Sequence, residues 1–337
     1  MRIDYFHIGD AEKEIFTIDH IYQQGIWAGN PDNLIDSFSN GRYFIKIYDT
    51  AANRLIFSKG YDSYFGEYKT TKPAKKGVKR AFHESALIPY PREPILFVIE
   101  VRDKKNILHP SFIREIDPDD YHIIRELPQR GDKVYEMVKS GNPHKKMDIV
   151  LIGEGYTAKE KGKFKKYLKK YTDVFFNTEP YKSNKDKFNV YGIFSASLEN
   201  GVDEPRQKIY KNSALGASFN ALDTPRYLLT EDNKTLRDIA AQVPYDAVYI
   251  MVNSERYGGG GIYNFFGIFT ANEGQWNEHV FLHEFGHSFA GLADEYYTSN
   301  VAYDEFYPKG AEPTEPNITA LMDPDNLKWK DLVTLGI

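Results

Sequence analysis

The sequence contains no cysteine. Disulfides, thiol nucleophiles and thiolate-held metals are therefore excluded, and any zinc must sit on histidines and carboxylates. Long apolar runs are missing too. Nothing approaches the roughly 18 residues that a membrane-spanning helix needs, so no membrane span is expected. An excess of basic charge is also absent: the formal net charge is -5. A general nucleic-acid binder carries a broad basic surface, so no nucleic-acid partner is expected. The first residues, MRIDYFHIGDAEKE, show no basic stretch followed by an apolar one, as a secretory signal would.

What remains is a chain of 337 residues, enough for two domains of ordinary size. Its first hundred residues read as strands. EIFTIDHIYQ (Glu14–Gln23), YFIKIYDT (Tyr43–Thr50), RLIFSKGY (Arg54–Tyr61) and PILFVIEVRD (Pro94–Asp103) are short, β-branched and aromatic. DTAANR reads as a hairpin loop. Together they predict a β-sandwich. His7, His20, His83 and His109 are scattered through this part and form no constellation. Between Asp103 and His144 the pattern weakens into proline, glycine and charge, which places a domain boundary there.

The second half alternates strands and helices. MDIVLIGEGY (Met147–Tyr156), FNVYGIFSAS (Phe188–Ser197) and DAVYIMVNS (Asp246–Ser254) read as strands. A helix is expected after Thr157, which forms a capping box with Glu160. It would bury Phe164, Tyr167, Leu168, Tyr171 and Phe175, while its lysines form the solvated face. A second helix is expected over at least Asn233–Val243. This alternation implies a mainly parallel sheet with helices packed on it. The fold class is thus α+β with two domains: residues 1–125 a β-sandwich of unknown binding role, and residues 126–337 an α/β catalytic domain.

Four glycines, Gly258–Gly261, precede an apolar stretch. They lead into a strand and not a helix, and no Lys-Ser/Thr follows, so they do not make a phosphate-binding loop. They read instead as a flexible turn before an edge strand, to which an extended peptide can add.

NEHVFLHEFGHSF (Asn277–Phe289) reads as a helix. Residues four apart share a helix face, so His283 and His287 can hold one metal ion. Glu284 lies about 100° round the helix, where a carboxylate can take a proton from a metal-activated water. His279 extends the row one turn below and is expected to serve the site's structure or support the ligands. A catalytic zinc needs a third protein ligand, and no histidine follows His287. Asp294 and Glu295 come after a turn at Gly291, and Asp294 is favoured. A glutamate from a second helix is the alternative; Glu305, Glu312 and Glu315 are available, though in a proline-rich stretch. Tyr296, Tyr297, Tyr303 and Tyr307 cluster after the motif as possible oxyanion stabilisers. The pattern points to metal-assisted hydrolysis of a peptide bond.

HEFGHSFAGLADEYY, with GGGGIYN upstream and EPN downstream, resembles the IgA-peptidase family of zinc metallopeptidases, the igalysins. The resemblance spans most of the chain. It implies a metzincin-like catalytic domain with Zn2+ on His283, His287 and Asp294, Glu284 as general base, and an extended peptide or protein as substrate. It also implies a secreted or cell-envelope location. The metzincin pattern HExxHxxGxxH is departed from: glycine and aspartate each arrive one residue late. The methionine turn of that group is expected in a segment beyond Ile337, or else at Met322. Two other readings stand beside the peptidase: a glycan- or surface-binding protein with a degenerate peptidase domain, and a zinc amidase acting on cell-wall peptides.

Overall fold

The computed structural model describes residues 1–126, 130–274, 276–295 and 310–332. Its N-terminal part runs β1 (Arg2–Gly9), β2 (Glu14–Tyr22), β3 (Tyr43–Asp49), β4 (Arg54–Tyr61), α1 (Tyr64–Tyr68), α2 (Lys72–Lys75), β5 (Arg80–Leu87), β6 (Ile95–Arg102) and β7 (Leu108–Ile116). These strands make two antiparallel sheets, ordered β2-β1-β5 and β4-β3-β6-β7. Ile3 and Tyr5 of the first sheet meet Ile45, Ile47, Phe97 and Ile99 of the second in one core. This is the expected sandwich. The β3–β4 hairpin is held as DTAANR predicts, with Asp49 Oδ1 accepting the N–H groups of Ala51 and Ala52.

Three of these strands escaped the sequence pattern, two of them for a clear physical reason. β7 contains Pro110 among charged residues and lies in the stretch read as a boundary. It is a sheet edge, where proline is tolerated because no outer neighbour needs its N–H. β1 is central yet buries Arg2, Asp4 and His7. These are neutralised across the fold: Arg2 pairs with Asp4 at 3.0 Å and Asp238 at 2.7 Å. His7 lies between Glu14 at 2.9 Å and Glu84 at 3.2 Å. The third strand, β5, supplies Glu84.

The C-terminal part contains β8 (Lys133–Val138), β9 (Met147–Glu154), α3 (Lys161–Asn177), β10 (Phe188–Phe194), α4 (Asn233–Ala240), β11 (Ala247–Val252), β12 (Gly259–Ile262), β13 (Phe266–Thr270) and α5 (Asn277–Ala290). One sheet is ordered β12-β13-β11-β9-β10-β8. Its four central strands are parallel and both edge strands antiparallel. Ile149 and Leu151 of β9 point to α3 and α5, whereas Val150 and Ile152 point to α4. Phe65 of α1 and Phe82 of β5 join that second face, so the sandwich packs directly on the sheet. Burial on both faces explains why β9 is apolar without alternation.

The capping box forms: Thr157 N–H donates to Glu160 Oε2 at 3.0 Å, and a short 3-10 turn precedes α3. All five residues expected on the inner face of α3 are buried. α4 ends at Ala240, short of the expected Val243. Pro244 accounts for this, since the residue before a proline is pushed out of helical conformation.

The glycine stretch differs most from expectation. Gly259–Gly261 are not a turn; they form the edge strand β12 itself. A Cβ on Gly259 would lie 2.8 Å from Glu284 Oε1, and one on Gly261 would lie 2.5 Å from the Glu284 carbonyl oxygen and 2.8 Å from His287 Cβ. Side chains are missing here because α5 lies directly against the strand. The outer side of β12 is also partly occupied: Leu228 N–H donates to the Gly259 carbonyl at 3.2 Å, and Tyr227 bridges to Gly259. The edge expected to be free for a peptide is therefore already paired at that end.

Gly261→Ala should push α5 off β12 and cost about 1–3 kcal/mol. Gly162→Ala, in α3 with nothing within 4 Å of the new methyl, should stabilise by about 0.5–1 kcal/mol. Urea unfolding of both variants checks the contrast. A second test concerns Glu14. Burial raises its pKa, but the His7 hydrogen bond and the Lys69 ammonium outweigh that and hold it down at about 2. A depressed carboxylate stabilises the fold above its unfolded pKa of about 4.5, and that contribution is lost as pH falls through about 2. Glu14→Gln should cost about 1–3 kcal/mol at pH 7, and its gap from wild type should close between pH 4.5 and about 2.

Candidate metal centre

α5 carries HEFGH and stops where the sequence predicts. Gly291 takes the left-handed conformation, φ 64° and ψ 34°, which costs glycine little. Its N–H donates to the His287 carbonyl at 3.0 Å and Leu292 N–H donates to that of Gly286 at 3.3 Å. The chain then folds back across the helix end and brings Asp294 over the histidine row.

Three donor atoms converge there. His283 Nε2 and His287 Nε2 are 3.0 Å apart, and each is 3.2 Å from Asp294 Oδ1. Four donors at zinc distances of about 2.0–2.1 Å, tetrahedrally arranged, stand about 3.3 Å from one another. The triangle therefore has the size and the nitrogen–oxygen chemistry of three corners of a zinc site. The His283, His287 and Asp294 side chains are 27, 16 and 30% exposed. Solvent thus reaches the triangle, as a fourth, open position requires.

Supporting contacts fix the geometry. His287 Nδ1–H donates to the Leu292 carbonyl at 2.5 Å, which orients the ring so that Nε2 faces the triangle. The His279 ring is stacked against His283, centroids 5.9 Å apart. Glu284 lies beside the pair: its carboxylate and the two imidazoles offer donor atoms within 4.8 Å of one another.

The electrostatics follow from this crowding. For Asp294, burial raises the pKa, but hydrogen bonds from both histidines outweigh it and hold the carboxyl well below its usual range. For His287, burial opposes the charged form; the Asp294 hydrogen bond and the Glu284 charge overcome it and lift the imidazole to about 9. Burial raises Glu284 above an ordinary glutamate, making it a stronger base in its ionised form.

Glu295, the alternative third ligand, is held elsewhere. Its Oε1 accepts from Asn317 Nδ2 at 2.8 Å. The same Asn317 grips the loop's backbone, accepting from Ala293 N–H at 2.8 Å and donating to the Ala293 carbonyl at 2.9 Å. Asn317 thus locks the residues on both sides of Asp294. It belongs to the EPN segment, yet nothing in its sequence spacing announced this role.

Among the described residues, neither Glu312 nor Glu315 joins a metal-binding group with the histidines. Glu312 serves its own segment, accepting from Ala320 N–H at 3.2 Å. Met322 is 56% exposed, unlike a residue packed beneath a metal. Tyr296, Tyr297, Tyr303, Tyr307 and Glu305 lie outside the described residues. Among the described residues, no helix is long and apolar enough to cross a membrane.

Comparison with known proteins gives the family. Residues 135–337 match the family described as IgA Peptidase M64, and residues 1–113 match its N-terminal partner, Peptidase M64 N-terminus. No curated protein matches the chain. The match over residues 135–337 covers α5, the histidine pair and Asp294, and with them the chain belongs to the IgA peptidase M64 family.

Proposed function

We infer that the protein is a zinc-dependent peptidase that binds its metal on His283, His287 and Asp294. The carrying observation is the triangle of donor atoms, 3.0 to 3.2 Å on each edge. Zinc there would supply Lewis acidity, polarising the peptide carbonyl and bringing the pKa of a water toward 7. Glu284 would accept a proton from that water on its carboxylate as the water oxygen attacks the carbonyl carbon. It then returns the proton to the departing amine nitrogen, so the C–N bond breaks to free acid and amine. Burial suits Glu284 to the first step, because a raised pKa makes its carboxylate a stronger base. Asn317 and the Leu292 carbonyl act only through other groups, as positioning partners of Asp294 and His287. A third ligand delivered by a left-handed glycine turn supports the metzincin-like reading, with the loop one residue longer than in that pattern.

Glu284→Ala should keep its zinc and lose peptide cleavage by about 10²–10⁴-fold, as read from metal analysis and a peptide-library digest. Unchanged cleavage would remove Glu284 from the reaction. Asp294→Ala should lose most of its metal, Glu295→Ala should keep it, and Asn317→Ala should bind zinc about 10–100-fold more weakly. An empty Glu295→Ala protein with a loaded Asp294→Ala protein would reverse the ligand assignment.

A further inference from the structure

Away from the metal centre, a cavity of about 340 Å³ lies where the sandwich meets the C-terminal sheet. Trp27 and Phe57 wall it from one side, and Tyr263, Phe265 and Phe289 from the other. That volume is within the range of small-molecule sites.

Lys59, Asp36 and Asp246 are the charged side chains of this wall, and Lys59 is the cation among them. On β4, Phe57, Lys59 and Tyr61 point to the same side of the strand. Phe57 and Tyr61 both belong to the sandwich core. The strand partner of Lys59 is Ile45, only 5% exposed. An ammonium thus stands at a position where the pattern calls for an aliphatic side chain, and it lines the cavity.

Its nearest carboxylates are turned to other donors. Asp246 Oδ2 accepts from Asp148 N–H at 2.9 Å. Asp36 accepts from the N–H groups of Phe38, Ser39 and Gly60. Both act on Lys59 only through their field, and burial leaves its pKa below the ordinary lysine value. Among the described residues, Lys59 forms no side-chain hydrogen bond or ion pair. Lys59 is half-buried, and its ammonium, with no direct partner, can pair with an incoming anion.

We propose that this cavity binds a small carboxylate with an apolar body, its carboxylate on Lys59 Nζ and its body against Trp27, Tyr263 and Phe289. The cavity reaches the C-terminal turn of α5 through Ser288 and Phe289, next in sequence to His287, while His283, His287 and Asp294 themselves do not line it.

The test is calorimetric titration of the whole protein with 4-phenylbutyrate and with 4-phenylbutanol, which has the same body without the charge. Wild type should bind the carboxylate about tenfold or more tightly than the alcohol, the worth of a charge-assisted hydrogen bond. Lys59→Met should abolish that preference, and its melting temperature without additive should equal or exceed that of wild type. No saturable binding by wild type, an unchanged preference in Lys59→Met, or a lowered melting temperature for that variant would each overturn the proposal. The readout is binding and not cleavage, so it is independent of the peptidase assignment.

Discussion

The site depends on one contact: the backbone of a glycine strand against the backbone of a helix. A Cβ on Gly261 would lie 2.5 Å from the Glu284 carbonyl oxygen, so β12 and α5 approach more closely than a side chain there would permit. That contact fixes the height and rotation of α5 over the sheet. Height and rotation in turn decide where His283, Glu284 and His287 project. Tyr249 fastens the same helix from beneath, donating to the Phe281 carbonyl at 2.5 Å, and its ring is stacked on Phe281 with centroids 5.2 Å apart.

A rigid helix supplies two of the donors, and the third has to be carried in by a loop. Loops are poor holders of geometry unless something braces them. Here Gly291 sets the direction and Asn317 the position. The asparagine satisfies both backbone groups of Ala293, as a paired strand would, and removes Glu295 from competition. The sandwich is part of the same mechanical unit, because Phe65 and Phe82 pack with Val150 and Ile152. It abuts the end of β12 as well, where Asp62 N–H donates to the Tyr263 carbonyl at 2.9 Å.

Where burial imposes a helical period, an alternation or an apolar run, most elements were legible in the sequence. α3, α5 and strands β2, β3, β4, β6, β9, β10 and β11 have the periods or apolar runs that burial dictates. The histidine pair and the turn at Gly291 were equally plain, since helical spacing and a left-handed glycine are local properties. What failed was non-local. β1 reads as polar because the partners of Arg2 lie at Asp4 and, 236 residues away, at Asp238. The glycines read as a turn because their reason for being small is a helix some twenty-five residues later in the chain. Asn317 was invisible because a side chain that braces a distant backbone leaves no period.

The central claim is that one metal ion is held by two imidazoles and the Asp294 carboxylate. Crystals of the zinc-loaded protein, with data collected on both sides of the zinc absorption edge, test it most directly. The account predicts one anomalous peak about 2.0–2.1 Å from His283 Nε2, His287 Nε2 and Asp294 Oδ1, with a fourth position open to solvent. A peak bound by Glu295 in place of Asp294, or no edge-dependent peak at the histidine pair, would contradict it.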